Sequence, residues 1–285
     1  MSIARVGIVG SGIMGSGIAE VAAKAGYEVV LRSRQQSSAD AMVAALAKSL
    51  DKQVERGRLE AADRDTIFGR VSAVTDLSGL ATCDLVIESV VEDLDAKKQV
   101  LTELDHVCPE HTILATNTST LPVVEMAMTT SRPDRVCGIH FFNPATAMKL
   151  VEVVRAITSS DETIAAAKAF ATSCGKDAVE VRDQAGFIVN ALLFPYLNNA
   201  IRLYDAGVAT RDDIDAAMKG GCNFPMGPLE LLDLVGLDTS LAILEALYAE
   251  FKDPNYAPAP LLRRMVSADR LGRKSGTGFY DYTKK

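Results

Sequence analysis

No stretch of this 285-residue chain stays apolar for the ~20 residues that a membrane span requires, so insertion into a bilayer is not expected. Basic side chains are not in excess either. With 30 Lys and Arg against 37 Asp and Glu, the net charge is -7, which removes the broad basic field of a nucleic-acid-binding protein and leaves any anionic ligand to a local cluster. Cysteine is sparse: Cys83, Cys108, Cys137, Cys174 and Cys222 are odd in number and lack Cys-x-x-Cys spacing. That pattern argues against a disulfide framework and a zinc site, and for reduced thiols in a cytoplasmic setting. Internal repeats, low-complexity tracts and a Gly/Ser linker are missing as well. The N-terminal residues run directly into a strand-like segment, so a secretory leader is not expected. Histidine occurs only three times, and His106 and His111, either side of Pro109 between a helix and a strand, are assigned no role.

What remains is a chain long and apolar enough for two domains or one large one. Its first two thirds alternate short apolar runs with longer helical patterns, the signature of a parallel sheet wrapped by helices. Strands are predicted near 4–9, 28–31, 70–74, 85–89, 113–116, 136–141, 150–154 and 177–181. Beyond Asp183 the spacing becomes helical; Thr210 reads as an N-cap ahead of Asp212 and Asp213, and Pro225, Pro228 and Pro254 punctuate helices. The expected fold is α/β: a Rossmann-like, mostly parallel sheet with helices on both faces over residues 1–183, then an all-helical C-terminal domain over 184–285. The two are expected to pack closely around a cleft.

The segment Gly10-Ser-Gly12-Ile13-Met14-Gly15 follows the first strand and opens a helix, the context a dinucleotide fingerprint requires. The first glycine makes the tight turn, the second admits a pyrophosphate to the backbone, and the third lets helix and strand pack closely. An NAD-selective domain usually carries a carboxylate at the end of its second strand to accept from the ribose 2'-hydroxyl. This chain instead reads Leu31-Arg32-Ser33-Arg34. A guanidinium fork suits a 2'-phosphate and Ser33 adds a donor, so NADP(H) is favoured, with NAD(H) the alternative if the arginines are merely solvated.

In an open parallel sheet, ligands lie beyond the carboxyl ends of strands, and three such ends carry polar clusters: Glu88 to Glu92, Asn117-Thr-Ser119, and His140-Phe-Phe-Asn143. A fourth candidate, Asn190, lies on the first helix of the second domain. A neutral imidazole, titrating near pH ~6.5, can take a proton at physiological pH, and a carboxylate on its other nitrogen fixes its tautomer. Glu152, in the apolar run 150–154, needs a partner to offset desolvation, and a histidinium is a natural one. A lone core histidine satisfied by backbone is the plainer reading of His140. Ser119 and Asn190 are neutral donors suited to a substrate oxygen, or else caps and cross-links of the backbone. On the helix after the second strand, Lys48, Lys52 and Arg56 fall four apart beside Ser49. Such a stripe can meet phosphates or simply be a solvated face.

Taken together, these motifs, with Pro225-Met-Gly-Pro228, the run 233–238 and the closing 272–280, closely resemble the 3-hydroxyacyl-CoA dehydrogenase family, above all its short-chain 3-hydroxybutyryl-CoA members, almost end to end. The resemblance implies that His140 is the general base, that Glu152 orients it, and that Ser119 and Asn190 hold the substrate's C3 oxygen. It places Glu92 and Lys97, with Asn117, by the cofactor, and brings a Ser/Lys-rich helix (Ser49, Lys52 and Arg56 here) to coenzyme A. Asp51 and Glu55 depart from the lysine-rich family pattern, which leaves the individual contacts open. The implied activity is hydride transfer between a nicotinamide cofactor and C3 of a short (S)-3-hydroxyacyl-CoA, by a cytoplasmic homodimer paired through its C-terminal domain. A dehydrogenase of a free hydroxy acid or sugar acid is the nearest rival, though such relatives usually carry a lysine base. A non-catalytic dinucleotide-binding protein is the other.

Overall fold

The computed structural model describes residues 3–283, and the chain divides after residue 184 into two compact units. In the first, eight strands form one sheet: β1 (Arg5–Val9), β2 (Glu28–Arg32), β3 (Val71–Val74), β4 (Leu85–Glu88), β5 (Ile113–Thr116), β6 (Val136–Phe141), β7 (Leu150–Arg155) and β8 (Asp177–Arg182). They lie in the order β3-β2-β1-β4-β5-β6-β7-β8, and β1 to β6 are mutually parallel. Strand β7 pairs antiparallel to β6, and β8 follows β7 in parallel. The order reverses direction between β1 and β4, the switch point at which an open α/β sheet leaves a crevice for a ligand.

Helices α1 (Ile13–Lys24), α2 (Gln36–Glu55), α3 (Ala61–Gly69), α4 (Leu94–Val107), α5 (Val123–Ala127) and α6 (Asp161–Ser173) make the crossovers. Because helices cover both faces, β4, β5 and β6 are buried at every position, which is why they read as unbroken apolar runs in the sequence. The edge strands β3 and β8 have no buried position, and in β8 exposed Asp177, Glu180 and Arg182 blunt the open edge with charge.

The second unit is helical, as its spacing predicts: α7 (Val189–Asp205), α8 (Arg211–Cys222), α9 (Pro228–Val235), α10 (Leu237–Phe251) and α11 (Pro260–Ser267) enclose a core that includes Phe194, Leu197, Leu232, Leu244 and Phe279. Thr210 caps α8 by accepting from the Asp213 amide, with Asp212 and Asp213 in the first turn. No helix among the described residues is long and apolar enough to cross a membrane.

Candidate active site

The glycine loop is shaped by contacts that exclude any side chain. Gly10 has φ +130°, and a Cβ there would stand 2.2 Å from the Ser89 carbonyl oxygen; a Cβ at Gly15 would stand 2.2 Å from that of Gly10. At Gly12, the N-cap of α1, the reason is different. Apart from its own neighbours in the chain, no atom of the described residues lies within 4 Å of where its Cβ would be, so the amino end of α1 opens onto a cradle rather than onto packing. No acidic residue occupies the first turn, and the helix end presents amides and positive potential to an anion. Met14 tucks against the core, whereas Ile13 is 77% exposed, as is Val91 to 70% in the loop beyond the neighbouring strand β4. Backbone donors with exposed apolar side chains at the start of α1 and in the loop after β4 fit a dinucleotide, which needs both a phosphate seat and ring contacts.

At the end of β2, Arg32 is half-buried and its Nε donates to the Thr75 carbonyl at 3.2 Å. Asp76 follows; hydrogen bonds from Ser78, with the Arg32 charge nearby, hold its carboxyl below the usual range. Ser33 is buried and Arg34 exposed. The Arg32 guanidinium is thus anchored on one side by the loop after β3.

Strands β6 and β7 bring His140 and Glu152 into direct opposition. Residues facing each other across an antiparallel pair project from the same side of the sheet, and here the His140 Nδ1 and a Glu152 carboxylate oxygen are 2.7 Å apart. His140 is 4% exposed and Glu152 fully buried. The Phe142 ring lies 4.4 Å from the imidazole, centroid to centroid, and adds an apolar wall. With Nδ1–H donating to the carboxylate, Nε2 is the nitrogen that carries the exchangeable lone pair. Asn117 accepts from the Phe141 amide at 2.8 Å, tying the end of β5 to the end of β6 beside the imidazole.

Glu92 and Lys97 meet, and they meet Glu88, which the sequence sets in the same polar cluster but to which it gives no role of its own. The Lys97 ammonium, 1% exposed, donates to both Glu88 oxygens at 2.9 and 3.1 Å and pairs with Glu92 at 3.3 Å. Glu92 in turn accepts from the Thr118 hydroxyl at 2.6 Å and the Ser119 amide at 2.8 Å. A glutamate closing an otherwise apolar buried strand, with a lysine in the next helix, is the signal that marks Glu88 in the sequence. Asp183 is a second such residue: it accepts from the Val123 and Val124 amides and so caps α5, the helix entered from the Ser119 loop. Burial pushes its carboxyl up, although those two amides oppose the shift.

Lys48 and Lys52 are exposed on one face of α2, and Arg56, exposed as well, is the C-cap just beyond it. Ser49 points the other way: its hydroxyl donates to buried Glu20 on α1 at 2.7 Å. Burial would raise the Glu20 carboxyl, but hydrogen bonds from Lys24, Ser49 and Gln53 win and hold it below its ordinary value. Asn190 is buried in the first turn of α7, in the second unit. The thiols of Cys83 and Cys137 are pushed up to about 12 by burial, so they serve as packing groups and not as nucleophiles.

Comparison with known proteins gives a consistent picture. A family model described as the 3-hydroxyacyl-CoA dehydrogenase NAD binding domain matches residues 5–184, and one for the C-terminal domain of the same enzymes matches residues 186–282. A 3-hydroxybutyryl-CoA dehydrogenase of Clostridioides difficile is 47% identical over 98% of this chain and 100% of its own length. The human mitochondrial hydroxyacyl-coenzyme A dehydrogenase is 40% identical over 98% of this chain and 91% of its own. Among solved structures, the (S)-3-hydroxybutyryl-CoA dehydrogenase of Ralstonia eutropha superposes with a TM-score of 0.97 at 43% identity, over 99% of this chain and 100% of that one.

Proposed function

The chain belongs to the 3-hydroxyacyl-CoA dehydrogenase family, and we propose that it interconverts a short (S)-3-hydroxyacyl-CoA and its 3-oxoacyl-CoA with His140 and Glu152 at the centre of the chemistry. The observation that carries this reading is the buried His140–Glu152 contact of 2.7 Å, at the same edge of the sheet as the glycine loop. When bound, the nicotinamide accepts hydride from C3 in oxidation and returns it in reduction. His140 Nε2 takes the C3 hydroxyl proton in the first direction and gives it back in the second. Glu152 keeps Nδ1 protonated and offsets the positive charge that the ring acquires. Ser119 and Asn190 donate to the C3 oxygen as it gains negative character.

Gly10, Gly12, Ile13, Met14 and Gly15 would seat the pyrophosphate, with Glu92, Lys97 and Asn117 ordering the wall of the cofactor site. Arg32, Ser33 and Arg34 favour NADP(H): no carboxylate stands at 32–34 to accept from a 2'-hydroxyl, and two guanidinium groups suit a 2'-phosphate. Lys52, on α2, and Arg56, its C-cap, are exposed and suited to the phosphates of coenzyme A; Ser49, whose hydroxyl now meets Glu20, would join them only by giving up that bond. Leu192, Leu203, Val208, Phe224 and Leu234 are exposed apolar residues of the helical unit and fit a surface through which two copies pair, in a cytoplasmic enzyme.

Measuring kcat/KM for acetoacetyl-CoA reduction with NADPH and with NADH tests the reading as a whole. A preference for NADPH of about tenfold or more is expected, since a charge-assisted hydrogen bond contributes roughly 1.5 to 3 kcal/mol. No turnover with either cofactor would sink the activity; a clear preference for NADH would sink the cofactor choice alone.

A further inference from the structure

Glu88 has no surface exposed to solvent and yet accepts four hydrogen bonds. One carboxylate oxygen takes the Lys97 ammonium at 2.9 Å and the Val90 amide at 2.5 Å; the other takes Lys97 at 3.1 Å and the Thr116 hydroxyl at 2.7 Å. Those partners come from three separate pieces of chain: the loop after β4, the end of β5 and helix α4. The same loop supplies the Ser89 carbonyl against which Gly10 is packed. A buried ammonium without a counter-charge is costly, so Glu88 commits Lys97 to this place, and the ammonium still reaches Glu92. Glu92 is 40% exposed in its side chain, and its bond to the Ser119 amide is the last link.

We propose that Glu88 is a positioning residue for the reaction: through Lys97 it fixes Glu92, and through Glu92 it sets the backbone of Ser119, whose hydroxyl is to meet the substrate's C3 oxygen. The proposal rests on the role given to Ser119 above. Donors that stabilise a developing oxyanion work only when their direction is set in advance, and a displacement of the order of 1 Å can cost about a hundredfold in rate. Residues 117–122 lie outside helix and strand, so no backbone ladder sets that direction. The chain from Glu88 supplies it with two charge-assisted links that water does not reach at their buried end.

Glu88→Gln keeps the shape of the side chain and removes its charge, so the test is its effect with and without the Ser119 hydroxyl. In acetoacetyl-CoA reduction at saturating cofactor, Glu88→Gln is expected to lower kcat about tenfold, with the acyl-CoA KM within about twofold of the parent. In a Ser119→Ala background the same substitution should lower kcat hardly further, because no hydroxyl is left to misplace. An equal loss in both backgrounds would overturn the proposal, since Glu88 would then act on the fold at large; so would a normal kcat in Glu88→Gln. A normal kcat in Ser119→Ala alone would instead refute the assignment of Ser119, and the proposal with it. Should Glu88→Gln not fold, as judged by its Tm, Glu92→Leu breaks the same chain at its partly exposed last link and is read by the same outcomes.

Discussion

Buried carboxylates occur in both units of the molecule, and their company differs. At the carboxyl edge of the sheet, Glu88 and Glu152 face basic side chains, Lys97 and His140. In the helical unit, Asp215 and Asp233 are as deeply buried but face amides and phenols. Asp215 accepts from the Leu229 and Glu230 amides and the Tyr280 hydroxyl. Asp233 accepts from the amides of Phe279 and Tyr280 and from the Tyr282 hydroxyl. Burial pushes the Asp233 carboxyl up, with those amides only partly opposing it. An amide donor cannot exchange a proton in the working range, so these aspartates act as clasps: Asp215 closes the start of α9, and Asp233 ties down the segment that ends the described chain. An imidazole can exchange one. On the proposed function, the exchangeable partner, more than the burial, sets Glu152 apart from these clasps.

The sharpest way to break this comparison is to remove the exchangeable partner. His140→Asn is expected to lower kcat by roughly 10³- to 10⁴-fold while cofactor binding and Tm stay close to the parent, measured by steady-state reduction of acetoacetyl-CoA and by thermal unfolding. A near-normal kcat would end the assignment of His140 as base. Next in size is Glu152→Gln, which keeps a hydrogen-bonding group opposite Nδ1 but not its charge. A fall in kcat of about a hundredfold with little change in KM is expected, because the charge matters most when the ring is cationic. If KM rose and kcat held, Glu152 would belong with the clasps.

Asp233→Ala makes the opposite statement. Two amides and the Tyr282 hydroxyl lose their acceptor, at a cost of about 2 to 4 kcal/mol of unfolding free energy. Urea denaturation should show that loss, and the folded enzyme should turn over at close to the normal rate. A variant as stable as the parent but slow would place Asp233 on the chemical side of the divide.

Much of this arrangement is visible in the amino-acid sequence, for reasons that are local. Strands β4, β5 and β6 read as apolar runs because both faces are covered, and Thr210 reads as a cap because the acidic first turn follows it at once. The glycine loop is legible because backbone contact forbids a side chain at Gly10 and Gly15. His140 and Glu152 stand out as a base and a carboxylate in need of a partner, but their register depends on β7 reversing direction, which no short-range pattern encodes. The links that were not legible are those that depend on how distant elements return to one another. Lys97 folds back from α4 onto Glu88, Arg32 turns to Thr75 across 43 positions, and Ser49 turns inward to Glu20 across 29. Each side chain stands out in the sequence as a candidate for a ligand, but the protein group that it meets lies too far along the chain to be read from local spacing.

The smallest effect expected falls on the clasp side and carries its own pH signature. Tyr280→Phe removes one of the three donors to Asp215 while leaving the Leu229 and Glu230 amides and a ring beneath the Arg211 guanidinium, so a loss of only about 1 kcal/mol is expected near neutrality. Burial, followed by the hydrogen bond to Asp215, raises the Tyr280 hydroxyl above the ordinary tyrosine value. The unfolded chain therefore releases this proton first as pH rises, near pH ~10, and from there the parent loses stability that the variant has no hydroxyl to lose. The stability gap between parent and Tyr280→Phe should accordingly be constant below pH ~9 and close above it, as followed by urea unfolding at a series of pH values. A gap that widened with pH would mean that the phenol is held as an anion, which a carboxylate 2.8 Å away forbids.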